Sequence, residues 1–275
     1  LLLAQCRAGT VTSPAARAGV TMATLAAPPR AGVTMATVAP PPPPGALRFS
    51  DIGVNLLDTM FLGNYRGKQA HPPDLDAVLT RAAASGVRHA IVTAGTLDES
   101  RRAIELVRSR RAAGCPVQLH STVGVHPTRA LEFLPDVDRG EIEAAMAAAA
   151  AADGPEAAAL ATLEASVLRR PHVEAALRSH VSALRAIVDD GVSDGSVVAI
   201  GECGLDYDRL QFCPRGVQRV GFEVQLGLAR ESGLPLFLHN RATDGEFDAM
   251  CAARRDDLEH GGVVHSFDGD AAELD

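Results

Sequence analysis

Val197-Val198-Ala199-Ile200-Gly201-Glu202-Cys203-Gly204-Leu205-Asp206 is the stretch whose reading decides the fold. Its first five residues are apolar without a break, as in a strand buried on both faces, and the run ends directly in a carboxylate. Outward from it the pattern repeats. Residues 47–54, 89–94, 117–125, 235–239 and 262–267 are further short apolar runs, and the stretches between them read as helices. Asp74, behind Pro72 and Pro73, is placed to cap a helix over 75–84 that Gly86 ends. Thr96 with Glu99, and Thr243 with Glu246, have the spacing of capping boxes. Strand and helix in alternation imply right-handed crossovers and a parallel α/β architecture. One region departs from the rhythm: over about 141–190 the chain is rich in alanine and broken at Gly154-Pro155 and at Pro171. It reads as an enlarged helical insert within one βα unit.

Composition narrows the classes. The 275 residues carry 26 Lys and Arg against 34 Asp and Glu, a net charge of −8, and 47% are hydrophobic. A disordered chain is excluded, and so is a general basic footprint for nucleic acid. No apolar run reaches the roughly 18 residues a membrane span needs, which points to a soluble protein. Five scattered cysteines, with no C-x-x-C pair, read as reduced thiols inside the cell, in cytoplasm or nucleus. Residues 1–48 stand apart, with four arginines, no acid, a proline run at 40–44 and a repeated Ala-Gly-Val-Thr-Met-Ala-Thr at 18–24 and 31–37. They are expected to form a disordered low-complexity leader. An organelle-targeting segment and an untargeted extension both fit it.

The chemistry sits at the downstream strand ends, which a parallel sheet gathers on one rim. Those ends carry Asp51 to Asn55, Gly124-Val125-His126-Pro127, Glu202 to Asp206, His239 and His265-Ser266. Glu202, His239, His265 and His126 are therefore expected to converge. One carboxylate with several imidazoles is the donor set of a divalent-metal hydrolase. A lone histidine at a strand end is more often a hydrogen-bonded structural residue than a ligand; repetition at the same end of successive strands favours the metal. His71, His89, His172, His180 and His260 lack that placement and are assigned to the surface, and His120 to the core or a helix contact. Alternation sends Cys203 to the opposite side of the strand from Glu202.

Six blocks carry a family resemblance: residues 51–56, 123–129, 197–206, 208–214, 235–239 with Arg241, and 262–269. Together they resemble the TatD family of metal-dependent deoxyribonucleases, its eukaryotic branch most closely. The resemblance implies a TIM-type (β/α)8 barrel of the metal-dependent hydrolase superfamily over 49–275. It implies hydrolysis of DNA phosphodiesters, typically from the 3′ end, with one or two Mg, Mn or Zn ions. It makes Glu202, His239 and His265 metal ligands, with His126 and Arg241 near the scissile phosphate. Two departures stand out. Many superfamily relatives carry H-x-H on the first strand, where this chain has Gly53 and Asn55. The family also takes a last metal-site aspartate from an eighth strand, whereas the pattern here stops after a sixth.

Single-stranded DNA is the easier substrate for a rim pocket, since a free 3′ end enters without melting a duplex. Arg66, Lys68, Arg209, Arg215 and Arg241 are candidate backbone contacts. Two rival readings remain open: an amide or ester hydrolase of the same superfamily, and a non-catalytic truncated product. On the sequence alone this chain is expected to have little nuclease activity compared with a form carrying the last two βα units.

Overall fold

The computed structural model describes residues 47–150 and 155–267. The expectations placed on the leader fall almost wholly outside the described residues. The chain enters through β1 (Phe49–Val54), a small antiparallel hairpin of β2 (Asn64–Tyr65) and β3 (Lys68–Gln69), and α1 (Leu75–Ala84). It continues through β4 (Val87–Val92), α2 (Leu97–Ala112) and β5 (Gln118–Val123), then three helices, α3 (Asp136–Ala150), α4 (Pro155–Val167) and α5 (Pro171–Val192). Next come β6 (Val197–Asp206), α6 (Arg215–Ser232), β7 (Leu236–Arg241), α7 (Glu246–Ala253) and β8 (Gly262–Val264). The six longer strands form one sheet in the order β1-β4-β5-β6-β7-β8, and every neighbouring pair is parallel. Strands that neighbour one another in chain order, joined through helices, make a TIM-type barrel with six of its eight strands among the described residues.

Helix faces explain the packing. Leu75, Leu79 and Ala83 of α1 recur every four residues, and they join Ala90 and Val92 of β4 and Ala103 and Val107 of α2 in one apolar cluster. A larger cluster gathers Val173, Leu177, Leu184 and Val188 of α5 with Phe222 and Leu226 of α6 and Ile200 of β6. Phe222 stacks on Phe247 of α7 at 5.3 Å. Burial on both faces does not extend to β1. It pairs only with β4, and Phe49 and Ile52 stay exposed there. No helix among the described residues is long and apolar enough to cross a membrane.

Helix α1 spans the expected 75–84 behind Asp74, but the expected side-chain caps form in one case of three. Thr96 Oγ1 accepts the Glu99 N–H at 3.0 Å, and the Glu99 carboxylate accepts the Gly95 N–H at 2.9 Å. Asp74 precedes α1 but makes no side-chain cap. Nor is there a Thr243–Glu246 box: Gly245 occupies the cap position, Thr243 bonds Asn240, and Glu246 accepts from the Tyr207 hydroxyl at 2.7 Å. Tertiary partners outbid the local cap in that loop. The alanine-rich stretch forms α3 to α5, which reach beyond 141–190 at both ends. Its helices are tied by Asp138, buried under Arg170 and His172.

β6 also runs further than its apolar half suggests, through Gly201 to Asp206. Gly204, at φ 142°, lets the strand pass against β7 where a Cβ would collide with the His239 carbonyl oxygen. Gly204→Ala is therefore expected to cost at least about 2 kcal/mol of stability. Gly227→Ala, inside α6 and facing open space, should instead gain about 0.5–1 kcal/mol. Urea unfolding of the two variants checks the opposite signs.

Candidate metal centre

The downstream ends of four strands meet at one carboxylate oxygen. Glu202 Oε1 lies 2.9 Å from His239 Nδ1, 2.5 Å from His265 Nε2 and 3.5 Å from His126 Nε2. These residues come from β6, from β7, from just past β8 and from the turn after β5. The His126 and His239 rings meet edge to face at 4.6 Å, and His265 stacks on Phe237 at 4.9 Å. That ring also explains Gly53: a Cβ there would sit 3.0 Å from Phe237 Cζ. Asn55, the other departure on β1, accepts a hydrogen bond from Thr93 Oγ1 at 2.8 Å.

A second carboxylate, Asp206, belongs to the same cluster. Its Oδ2 is 3.2 Å from His239 Nε2, and its Oδ1 is buried without a hydrogen-bond partner. The sequence reading placed it only as a strand end. The available signal was the two-residue period of β6, which puts 202, 204 and 206 on one face. Glu202, His239 and His265, and separately His126, Asp206 and His239, each offer three ligand atoms within 4.8 Å of one another. Clustered imidazoles and carboxylates, with an orphaned carboxylate oxygen among them, suit a divalent cation. Arg209 Nε, 3.8 Å from Asp206 Oδ2, supplies a competing positive charge on the Asp206 side and favours the Glu202 trio.

Charge and tautomer follow from the surroundings. Burial pushes the Glu202 carboxyl up, but hydrogen bonds from His239 and His265 outweigh it and hold the group well below the usual carboxylate range. Burial lowers the His126 imidazole to about 4, against the pull of Glu202. His126 is thus neutral at pH 7. The Thr128 backbone N–H, which can only donate, reaches His126 Nδ1 at 3.2 Å. The ring proton therefore sits on Nε2, the nitrogen that faces Glu202.

The other sequence candidates lie elsewhere. Arg241, at the end of β7, is exposed and holds Asp208 at 3.1 Å. Arg215 lies over the Tyr207 ring, and Arg66 over Tyr65. Cys203 is fully buried on the far side of β6, where burial raises its thiol. His120 is held by the Gly195 carbonyl at 2.7 Å. His180 is not a surface residue: its side chain is 14% exposed, bonds Glu132 at 2.9 Å and packs on Phe133. A helix position facing a carboxylate from another element cannot be read from spacing alone.

The buried neutral His126 has a pH consequence for the metal-free chain. Its folded value, about 4, lies below the ordinary 6.5, so between them the unfolded chain binds the extra proton. Stability is then full above about 6.5 and falls as pH drops toward 4. His126→Gln should remove about 2 kcal/mol of that acid-side loss, read from urea unfolding in EDTA at several pH values.

Residues 51–275 match the family described as TatD related DNase. A Schizosaccharomyces pombe protein named Deoxyribonuclease Tat-D is 35% identical over 229 residues, 83% of this chain and 60% of the relative. A protein of Enterobacter lignolyticus named 3'-5' ssDNA/RNA exonuclease TatD is 32% identical over 224 residues, 82% of this chain and 61% of the relative. The chain thus spans about 60% of the length of these relatives. A crystal structure described as an uncharacterized amidohydrolase from Saccharomyces cerevisiae superposes with a TM-score of 0.66 at 31% identity, covering 83% of this chain and 64% of that one. The fold and the match across 51–275 agree, and this chain belongs to the TatD-related deoxyribonuclease family.

Proposed function

We propose that this chain carries the metal-binding rim of a divalent-metal-dependent deoxyribonuclease that hydrolyses phosphodiester bonds of single-stranded DNA from the 3′ end. The observation that carries the reading is the meeting of three imidazole nitrogens within 3.5 Å of Glu202 Oε1. The deoxyribonuclease and exonuclease names of its relatives support the substrate. Glu202, His239 and His265 would hold one or two Mg, Mn or Zn ions. An ion there supplies Lewis acidity to a phosphodiester oxygen and lowers the pKa of water.

The chain's own residues do the rest. Ionised Glu202 balances cationic charge. With an ion between His239 Nδ1 and Glu202, Asp206 would take the Nε2–H of His239 and leave Nδ1 free to ligate, as a carboxylate behind a ligating histidine does. His126, neutral with its proton on Nε2, is set to donate a hydrogen bond to a non-bridging or leaving oxygen. Arg241 holds Asp208 through Nε, so a phosphate there would share the guanidinium with that carboxylate. The four described cysteines are free thiols, which supports an intracellular setting, cytoplasmic or nuclear.

The exposed β1 and the short β8 form the two edges of the sheet. Activity is expected from a closed form, in which both of these edges are paired into a barrel. Degradation of a 3′-labelled single-stranded oligonucleotide with Mg²⁺ or Mn²⁺ tests this. The closed form should cleave it, and Glu202→Gln should lower the rate at least about 100-fold. A closed form that leaves the oligonucleotide intact but hydrolyses amide or ester substrates would refute the nuclease reading.

A further inference from the structure

Beside His126 the rim opens into a second cleft, about 610 Å³ in volume, walled by the 127–133 turn, the 209–212 loop and α3. Arg129, Arg139, Arg209 and the ring of Phe212 line it. It meets the metal centre at two points. Thr128, on its wall, bonds His126 Nδ1 at 2.8 Å, and Arg209 reaches toward Asp206 at 3.8 Å. The charges divide clearly. Arg139 is paired with Asp136, and Glu132 is held by the Leu97 N–H and His180. Glu143 adds a second carboxylate, on the α3 side. Arg129 is exposed and makes no ion pair or side-chain hydrogen bond among the described residues. Phe212 is 56% exposed although its neighbour Cys213 is fully buried. An open phenyl ring between guanidinium groups, next to a phosphodiester site, is the arrangement that stacks an unpaired base and grips its backbone.

We propose that this cleft binds the nucleotide adjoining the reacting phosphodiester of a single strand, with its base stacked on Phe212 and its phosphates on Arg129 and Arg209. The proposal rests on the nuclease reading and adds to it a subsite that would account for its single-strand preference. A duplex keeps its bases inside and offers Phe212 nothing to stack on.

The test is fluorescence anisotropy of a hydrolysis-resistant phosphorothioate oligothymidylate, and of an abasic strand of equal length, on the full 275-residue chain with Mn²⁺. Phe212→Ala should weaken oligothymidylate binding about 5- to 100-fold and leave the abasic strand within about twofold. Arg129→Ala should weaken both strands alike, by a few-fold. Both variants should keep the wild-type melting temperature and the Mn²⁺ affinity measured by calorimetry. Wild-type binding of the strand with Phe212→Ala within about twofold of it would overturn the cleft and leave the nuclease reading standing. Equal loss on abasic and normal strands would overturn the stacking role. A wild-type chain that binds Mn²⁺ but neither strand would overturn the subsite and the nucleic-acid substrate together.

Discussion

Two buried glutamines on one face of α6 hold the site in place. Gln225 takes both backbone groups of Val125, accepting its N–H at 2.7 Å and donating to its carbonyl at 3.0 Å, and so sets the chain leading into His126. Gln218, two turns earlier, does the same for Asp206, at 2.8 Å and 2.9 Å, and also donates to the Cys213 carbonyl. Beyond Val123 and Ile200, where the β5–β6 pairing ends, backbone groups on that side lack a strand partner, and burying each unpaired costs about 1–3 kcal/mol. The two amides remove that cost and fix where β5 and β6 deliver His126, Glu202 and Asp206. α6 is itself anchored from the helical insert, because Glu164 of α4 accepts the Val217 N–H at 2.6 Å at the start of the helix. The insert thus braces the element that braces the metal centre.

How far the sequence reaches can be judged residue by residue. The order of the six strands and the convergence of Glu202, His239, His265 and His126 follow from apolar runs that end in polar residues, because a parallel sheet puts all such ends on one side. Gln218 and Gln225 carry no such signal. A glutamine on a helix reads as solvent-facing until the strand end opposite it is known. Asp206 was within reach through the period of β6, but Gly201 ends the apolar run and hides that the strand continues. The caps show the same limit. Thr96 and Glu99 find no better partner than the local backbone, whereas Glu246 finds the Tyr207 hydroxyl and Asp74 lies 3.9 Å from His71. Local grammar holds where nothing tertiary competes.

The placement of charge bears on how an acidic chain would take the anionic substrate proposed for it. Many of the charged residues of this chain of net charge −8 stand in surface groups such as Arg108 with Asp190 and Asp194, and Arg185 with Asp189 and Glu231. Exposed pairs of this kind add little stability but neutralise one another in the far field. Near the rim the balance reverses, since Arg129 is unpaired and the carboxylates of Glu202 and Asp206 are placed to be answered by a cation. On this reading the proposed phosphodiester substrate would be met by the cation at Glu202 and by Arg129, on a chain of net charge −8.

The central claim is that Glu202, His239 and His265 hold the ion while Asp206 keeps the far nitrogen of His239. Anomalous diffraction from crystals grown with Mn²⁺ tests it most directly. The account predicts a peak in contact with Glu202 Oε1, His239 Nδ1 and His265 Nε2, with His239 Nε2 still on Asp206. A peak held instead by His126 and Asp206, or no peak at saturating Mn²⁺, would contradict it.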